Sequence, residues 1–320
     1  MITSKITITN HGPQQNCHAP FSRFPLPFGI RYTLNVMMTS DPIRHLLIVA
    51  GDGTYPACLA AGARKAGVPR ITMLALRGST DRATAALADA CTWFGVGEIQ
   101  RIFEWAARMG FSHGVMAGGI APLALFRTRF DTLARAWLRD LPVKNAHTIF
   151  GRIAAEMEHI GIRVLPASCY MDDHIPGAGL LTRRAPDERE ARDIAFGHQV
   201  ARDICGLDIG QTLLVKDGMV LAVEAFEGTN QAIRRGGKLG GRGAVVVKVA
   251  KEGHDMRFDI PVIGVKTVAV LRRAGVSALA FQAGRLVLLD RPAVIAAADR
   301  MNLAMVGLDA GLPPAPLRPV

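Results

Sequence analysis

The fold is set by residues 45–56, where His45-Leu-Leu-Ile-Val-Ala50 runs directly into Gly51-Asp-Gly-Thr-Tyr-Pro56. A continuous apolar run of this length is typical of a strand that is buried on both faces of a parallel sheet. The glycines that follow predict a tight turn, and the residues from Ala57 to Ala66 predict a helix. This stretch therefore has the strand, turn and helix of an α/β fold.

The alternation of strand and helix patterns continues through the first half of the chain. Strands are predicted at Arg70–Leu76, His113–Ala117 and Ile162–Leu165, and helices at Glu98–Met109 and Ile149–Ile160. Such alternation predicts a doubly wound, Rossmann-like parallel sheet. Ligands bind such sheets at the carboxyl ends of the strands, where Gly51, Gly53, Gly118 and Gly119 follow predicted strands.

These glycines have two explanations. Backbone amides at a strand-to-helix turn can hold a phosphate or a nucleotide sugar. Close packing of one backbone on another also requires glycine. No glycine completes the dinucleotide fingerprint near Pro56, so the turn is poor evidence for NAD binding.

The pattern changes near residue 170 to an α+β one. Asp217-Gly218 predicts a hairpin turn between two strands. Strands are predicted at Thr212–Lys216, Met219–Glu224, Ala244–Ala250, Ala278–Gln282 and Leu286–Leu289, with helices at Pro186–Ala201, Lys266–Ala274 and Arg291–Met301. We therefore predict a Rossmann-like domain at residues 44–170 and an α+β domain at residues 171–310. Residues 1–43 are predicted to be a disordered extension, and residues 311–320 a tail.

The composition narrows the class of protein. With 49% hydrophobic and 20% charged residues, the chain has the balance of a soluble globular protein and no stretch that predicts a membrane span. A net charge of +11 predicts a surface that attracts acidic lipid headgroups or phosphorylated small molecules. Nucleic acid is not expected, because no RNA-binding or zinc-finger signature is present. Five widely spaced cysteines predict free thiols.

Candidate catalytic residues are concentrated in the stretch from Val220 to Asn230. Glu224 ends an apolar strand, so its burial would require a partner. Glu227, Thr229 and Asn230 follow in a glycine-containing turn. Solvated hairpin ends would explain these residues singly.

Further polar residues follow the next predicted strand. Lys248 and Lys251 are close in sequence, and Asp259 lies in an apolar setting that is unusual for an unpaired carboxylate. Taken singly, these would be structural ion pairs. Together with the glutamates they supply what a site for phosphate and a divalent cation needs. Met171-Asp-Asp-His174 is a second metal candidate, for which a solvated linker is the simpler explanation.

At these residues the chain resembles the LpxI-type UDP-2,3-diacylglucosamine pyrophosphatases of lipid A biosynthesis. The resemblance extends roughly from Arg44 to Gly307. It is carried by Ala-Val-Glu-Ala-Phe-Glu-Gly-Thr at 222–229, Val-Lys-Val-Ala-Lys at 247–251 and Asp-Met-Arg-Phe-Asp-Ile-Pro-Val-Ile-Gly at 255–264. It implies a two-domain enzyme that binds its substrate between the domains.

The resemblance also implies an activity and a location. Water would attack the pyrophosphate of UDP-2,3-diacylglucosamine, giving UMP and 2,3-diacylglucosamine 1-phosphate (lipid X). Mg²⁺ or another divalent cation would assist. The enzyme would be cytoplasmic and peripheral to the inner membrane, and whether it forms homo-oligomers stays open.

The resemblance assigns roles to individual residues. Asp259 is implied as the leading catalytic residue, with Glu224 and Glu227 next. Lys248 or Arg257 would offset charge on phosphate. Asp259 and Glu227 are the implied metal ligands. The implied substrate-binding residues are Gly51, Asp52, Gly53, Gly118, Gly119, Thr182, Thr229, Asn230 and Arg257.

The chain departs from the family pattern at several positions. Asp52 replaces a glycine, Asn230 an aspartate and Gln282 a glutamate, and Ala146-His147 stands where two aspartates are usual. Loss of carboxylates favours an alternative, a catalytically silent relative that binds a UDP-linked lipid or nucleotide sugar as carrier or regulator. A third hypothesis, a nucleotide-dependent enzyme such as a dehydrogenase, would require NAD to bind at the incomplete glycine fingerprint.

Overall fold

The computed structural model describes residues 42–120, 128–141, 146–250, 255, 257 and 260–309. The predictions for residues 1–41 and 310–320 fall outside these ranges. For convenience, residues 45–164 are called the N-terminal lobe and residues 179–308 the C-terminal lobe. No helix in the described ranges is both long and apolar enough to cross a membrane. The four cysteines in these ranges form no disulfide bond with one another, as the sequence predicts.

The N-terminal lobe is built on a parallel sheet of five strands. The strands are β1 (His45–Ala50), β2 (Arg70–Leu76), β3 (Ala90–Phe94), β4 (His113–Ala117) and β5 (Arg163–Val164). The helices are α1 (Tyr55–Lys65), α2 (Arg82–Ala85), α3 (Ile99–Met109), α4 (Thr132–Asp140) and α5 (Ala146–His159). The sheet order β3-β2-β1-β4-β5 confirms the doubly wound prediction. Its switch point lies between β1 and β4, at the predicted glycine turns.

The C-terminal lobe contains a mixed sheet and a separate pair of short strands. The sheet strands are β6 (Gly179–Leu180), β7 (Thr212–Lys216), β8 (Met219–Val223), β9 (Ala244–Lys248), β11 (Val276–Gln282) and β13 (Ala304–Leu308). The separate parallel pair is β10 (Val262–Ile263) and β12 (Val287–Leu288). The helices are α6 (Glu188–Gly206), α7 (Thr229–Gly240), α8 (Val265–Arg273) and α9 (Arg291–Arg300). The sheet order is β6-β13-β11-β9-β7-β8, which confirms the α+β prediction.

One edge of this sheet collects polar side chains. Strands β9, β11 and β13 are parallel, while β7 runs antiparallel to both β8 and β9. Thr212, at the start of β7, is therefore paired with Lys248, at the end of β9. Glu224 follows β8 at the same edge, and its amide donates to the Thr212 carbonyl at 2.7 Å. We call this the carboxyl edge of the C-terminal sheet.

The two lobes share part of their apolar core. Ile260 and Val287 are buried in the same cluster as Tyr55, Leu59 and Ala117 of the N-terminal lobe. The hydroxyl of Tyr55 also donates to the carbonyl of Ala167 at 2.6 Å. The chain that follows β9 at the carboxyl edge therefore reaches the N-terminal lobe by Ile260.

Helix α7 is not foreseen in the sequence because it contains several glycines. A Cβ added at Gly236 would lie 2.7 Å from Leu214 Cδ2, and one at Gly237 would lie 2.5 Å from Ala274 Cβ. Glycine lowers helix propensity by about 1 kcal/mol per residue. Here the close packing of α7 on β7 and on the end of α8 requires it, so tertiary contacts override the local signal.

Candidate active site

Lys248 is the centre of a buried polar cluster at the carboxyl edge. Its Nζ donates to Thr212 Oγ1 at 3.0 Å and to Thr229 Oγ1 at 2.9 Å, and Glu224 Oε2 lies 3.7 Å away. Thr229 Oγ1 donates in turn to Glu224 Oε1 at 2.8 Å. Only 5% of the Lys248 side chain and 14% of the Glu224 side chain are exposed. The partner that burial of Glu224 requires is therefore supplied by Lys248 and Thr229.

Among the residues that the structure describes, no hydrogen-bond partner is found for two buried oxygens near this cluster. They are Glu224 Oε2 and Asn230 Oδ1. An unsatisfied buried acceptor costs about 1–3 kcal/mol, and each such atom calls for an explanation such as a bound ion, water or ligand. Both are oxygens, the ligand type that Mg²⁺ prefers.

The donor set fits Mg²⁺ only in part. In the described ranges, no group of three or more His, Cys, Asp or Glu side chains could hold a metal ion by itself. Protein sites for Mg²⁺ commonly use one or two carboxylates, with water and substrate phosphates completing the shell. Glu224 and Asn230 suit such an arrangement, provided that the substrate or another residue supplies further oxygens.

The first turn of α7 adds positive potential to the cluster. Gly228 is its N-cap, with φ at 80°, and no side chain caps the helix. The amino end of a helix carries partial positive charge and favours anions. Thr229 and Asn230 are the first two residues of α7, and Thr229 contacts Lys248. The charge of Lys248 and the partial charge of the helix end would therefore attract an anion at the same place.

Glu227 is held apart from this cluster by a turn of its own. Its carboxylate accepts from the amide of Ala225 at 3.2 Å and pairs with Arg235 at 2.5 Å. Arg235 also donates to the carbonyl of Val223 at 2.8 Å. The hydrogen bond from Arg235 lowers the pKa of the Glu227 carboxyl. The role of Glu227 as metal ligand stays a prediction.

Gln282, which replaces a family glutamate, lies at the end of β11. It is buried, and its Oε1 accepts from the amide of Ala250 at 3.1 Å. Ala250 comes two residues after Lys248. The uncharged side chain of Gln282 therefore fixes the backbone just after β9, where the chain leaves the carboxyl edge.

The glycine turns of the N-terminal lobe pack backbone against backbone. The amide of Gly51 donates to Ala117 at 2.7 Å, and that of Asp52 donates to Gly119 at 2.7 Å. A Cβ at Gly51 would lie 2.5 Å from the Gly119 oxygen, and one at Gly118 would lie 2.6 Å from the Asp52 oxygen. Close packing is therefore sufficient to explain Gly51 and Gly118.

The outer part of the first turn is open to solvent. Asp52, Gly53, Gly118 and Gly119 are exposed at the switch point of the sheet. Asp52 Oδ1 accepts from the amide of Gly53 at 2.8 Å, so this replacement of a family glycine stabilises its own turn. Ligand binding at these four residues stays a prediction.

Arg257 joins the two lobes through ion pairs. Its guanidinium pairs with Asp255 at 2.5 Å and with Glu158 of α5 at 2.6 Å. The hydrogen bonds from Arg257 to Asp255 and Glu158 raise the pKa of Arg257. Asp259 and Lys251 lie outside the described residues, so the assignment of Asp259 as catalytic residue and metal ligand also stays a prediction.

Thr182 is not brought to the carboxyl edge. Its Oγ1 accepts from the amide of Met305 at 2.8 Å, near the amino end of β13. Lys248 lies at the opposite edge of the same sheet. The contacts of Thr182 are those of a buried structural residue, and its predicted contact with substrate is untested.

A buried ion pair that the sequence analysis missed lies at that opposite edge. Arg184 donates to both oxygens of Glu190, at 2.8 and 2.9 Å, and to the carbonyl of Asn302 at 2.7 Å. Burial opposes ionisation of Glu190, yet the hydrogen bonds from Arg184 lower its pKa to about 2. The pair ties α6 to the end of α9 and is structural.

The second metal candidate, at residues 171–174, is occupied by protein contacts. Asp173 pairs with Lys65 of α1 at 2.5 Å, and His174 Nδ1 lies 3.1 Å from the carbonyl of Leu288. Residues 172–174 form one turn of 3₁₀ helix. The linker explanation accounts for this stretch.

Thr212 is the cluster residue that the sequence analysis did not identify. Its signal is weak, because a threonine at the start of a strand is common. Only the pairing of β7 with β9 places it opposite Lys248.

Comparison with known proteins gives consistent matches over both lobes. The family model of the LpxI N-terminal domain matches residues 45–174, and that of the LpxI C-terminal domain matches residues 177–306. The chain is 33% identical over 278 residues to the UDP-2,3-diacylglucosamine pyrophosphatase LpxI of Caulobacter vibrioides, covering 83% of this chain and 98% of that protein.

The matches to solved structures are remote. One is the biotin carboxylase domain of a thermophilic 2-oxoglutarate carboxylase, with 14% identity and a TM-score of 0.25, over 53% of this chain and 34% of that chain. Another is the biotin carboxylase subunit of pyruvate carboxylase, with 15% identity and a TM-score of 0.25, over 63% of this chain and 43% of that chain. This chain thus spans less than half of either.

Proposed function

The chain belongs to the LpxI family, and from that premise we propose that it hydrolyses the pyrophosphate of UDP-2,3-diacylglucosamine. The products are UMP and 2,3-diacylglucosamine 1-phosphate, an intermediate of lipid A biosynthesis. The buried cluster of Lys248, Thr229 and Glu224 supports the proposal most directly, because it suggests which residues would perform the reaction. These residues lie within two of the three motifs on which the resemblance depends, 222–229 and 247–251.

Lys248 has the geometry of a group that binds phosphate. An ammonium has three N–H donors, and two of them are taken by the hydroxyls of Thr212 and Thr229. The third is available to Glu224 Oε2 or to a phosphate oxygen of the substrate. Because the hydroxyls fix the ammonium before substrate arrives, little reorganisation is needed when charge develops on phosphate.

Glu224 and Asn230 are the described residues that would hold a divalent cation. Their unpartnered oxygens are buried beside Lys248 and at the first turn of α7. Asp259 would complete the set, as the family resemblance implies. A bound Mg²⁺ would polarise phosphate oxygens and favour ionisation of the attacking water. Glu224 would also orient that water through its free oxygen.

The expected partners of the enzyme are its lipid substrate and the surface of the inner membrane. A substrate with two acyl chains resides in a membrane, so the enzyme would act at the surface of the inner membrane as a peripheral protein. It would do so from the cytoplasmic side, as the family resemblance implies. The excess of basic residues suits an anionic bilayer surface.

A second candidate function is favoured by the replaced carboxylates. Asn230 and Gln282 are neutral where the family has acidic residues, and neutral amides are weaker ligands for Mg²⁺. A protein of this kind would bind the UDP-linked lipid as a carrier or regulator without hydrolysing it.

One experiment separates the two functions. Purified protein is incubated with UDP-2,3-diacylglucosamine in detergent micelles with Mg²⁺, and UMP is quantified by chromatography, with EDTA as the metal-free arm. We expect UMP release that EDTA abolishes and that Asp259→Ala reduces at least 100-fold (about 2.7 kcal/mol). Thermal stabilisation by the lipid without release of UMP would establish the carrier instead.

A further inference from the structure

The exposed face of α7 carries positive charge without acidic residues. Its exposed positions are Gln231, Arg234, Arg235, Lys238 and Leu239. At 100° per residue these positions occupy one side of the helix. Arg235 is paired with Glu227 from the preceding turn, whereas the bond of Arg234 within the described part of the chain is to Gln231 of the same helix, at 3.1 Å. The face therefore presents Arg234 and Lys238 to solvent as cations.

Large apolar side chains are exposed in the segments next to both ends of α7. Phe226 is 77% exposed, Leu239 68% and Met219 64%. Phe226 sits in the turn before α7, which is closed by a bond from the amide of Gly228 to the carbonyl of Ala225 at 3.2 Å. An ordered turn thus keeps an aromatic ring in water.

Met219 lies near the other end of the helix. It is paired with Lys216 across the hairpin of β7 and β8. Lys216 Nζ donates to the carbonyl of Gly240, the last residue of α7, at 2.8 Å. Single exposed apolar residues need no explanation. Exposed apolar side chains next to the cations of a helix are typical of surfaces that bind the interface of a bilayer.

We propose that this α7 surface, defined by Met219, Phe226, Arg234, Lys238 and Leu239, docks the protein on a bilayer with anionic headgroups. The inference rests on the proposed function, because a diacylated substrate must be taken from a membrane. Thr229 and Asn230, the first residues of α7, belong to the candidate active site. The docking helix therefore leads directly to the catalytic cluster.

The charge of the surface favours a bilayer over a second copy of the chain. A two-fold interface brings identical patches together, so the cations of two α7 faces would oppose each other. Anionic headgroups complement them, and each Lys or Arg near such a surface contributes about 1 kcal/mol, or about fivefold in binding.

The test is co-sedimentation with vesicles of phosphatidylcholine alone or mixed with phosphatidylglycerol. Arg234→Gln with Lys238→Gln removes two charges from the α7 surface, and we expect about 25-fold weaker binding to the anionic vesicles. Arg82→Gln with Arg108→Gln removes the same charge from exposed positions on α2 and α3 of the N-terminal lobe. This control should lose less than about threefold.

The apolar part of the surface is tested separately. Phe226→Ser should weaken vesicle binding about tenfold or more, because its ring would leave the bilayer interface. Leu87→Ser, at a side chain that is 51% exposed in the other lobe, is the matched control. Equal losses for test and control variants would show that only net charge or general hydrophobicity acts, and would overturn the proposal.

Activity distinguishes failure of docking from failure of the proposed function. Both variants of the α7 surface, Arg234→Gln with Lys238→Gln and Phe226→Ser, should release UMP from detergent micelles at the wild-type rate. From vesicles they should release it at a reduced rate. If wild type releases no UMP in micelles, the proposed function fails, while co-sedimentation still decides the docking. If α7 variants bind vesicles like wild type but change the oligomeric state in light scattering, the surface is an interface between copies and the proposal is wrong.

Discussion

Replacing Thr212 by valine removes one hydroxyl that positions Lys248. Thr212 is 2% exposed, and its Oγ1 accepts from Lys248 Nζ at 3.0 Å. Valine fills nearly the same space, so the change is confined to the hydrogen bond. The backbone pairing of β7 with β9 does not depend on this side chain.

The size of the effect follows from the type of bond lost. A hydrogen bond to a charged group contributes about 1.5–3 kcal/mol, so the free energy of unfolding should fall by about 2 kcal/mol. Lys248 keeps Thr229 and Glu224 as partners, but its ammonium is less firmly placed. We expect kcat to fall about tenfold, equivalent to about 1.4 kcal/mol, with KM changed little.

The control is Thr212→Ser, which keeps the hydroxyl and removes only a methyl group. Urea unfolding gives the stability, and UMP release from micelles gives kcat and KM. Positioning by the hydroxyl predicts that serine retains most of the wild-type kcat while valine does not. If serine and valine lower kcat equally, Thr212 acts by packing alone and the positioning argument is refuted.

The remaining predictions concern stability. Glu190→Gln should lower the free energy of unfolding at pH 7 by about 3 kcal/mol, because Arg184, whose side chain is only 23% exposed, loses its carboxylate partner. The pKa of Glu190 is lowered to about 2, so its contribution of about 3 kcal/mol is present above pH ~4.5 and is lost towards pH ~2. Urea unfolding should show the difference between variant and wild type shrinking over that window, and a constant difference would contradict the assignment. Gly118→Ala should cost about 2 kcal/mol, because φ is 90° and the new Cβ would lie 2.6 Å from the Asp52 oxygen. Gly119→Ala has open space and should change the thermal midpoint far less, so equal shifts would refute the close-packing explanation.

Much of the fold follows from local sequence signals. The apolar run before Gly51 predicts β1, and the switch point of the sheet lies where its glycine turn was expected. Asp217-Gly218 forms the predicted hairpin turn, with φ of 51° and 75°. Such features depend on residues close in sequence, and for that reason they can be predicted from it.

Other features depend on contacts between distant residues. Strands β3, β6, β10 and β13 were not predicted, and β6 and β10 have two residues each, too few for a periodic pattern. Glu224 and Glu227 belong to one motif, yet the fold buries the first beside Lys248 and pairs the second with Arg235. The pairing of β8 with β7 places the first and the turn before α7 places the second, and a motif does not encode such placement by itself.

The most direct test of the catalytic cluster is the rate of UMP release by Glu224→Gln. Glutamine retains the Oε1 that accepts from Thr229 at 2.8 Å, and it removes the charge and Oε2, which lies 3.7 Å from Lys248 Nζ and has no hydrogen-bond partner among the described residues. We predict a rate at least 100-fold below wild type at saturating substrate, while Glu104→Gln, an exposed control in α3, stays within about twofold. A Glu224→Gln protein that is folded and hydrolyses the lipid at a rate close to wild type would contradict the account.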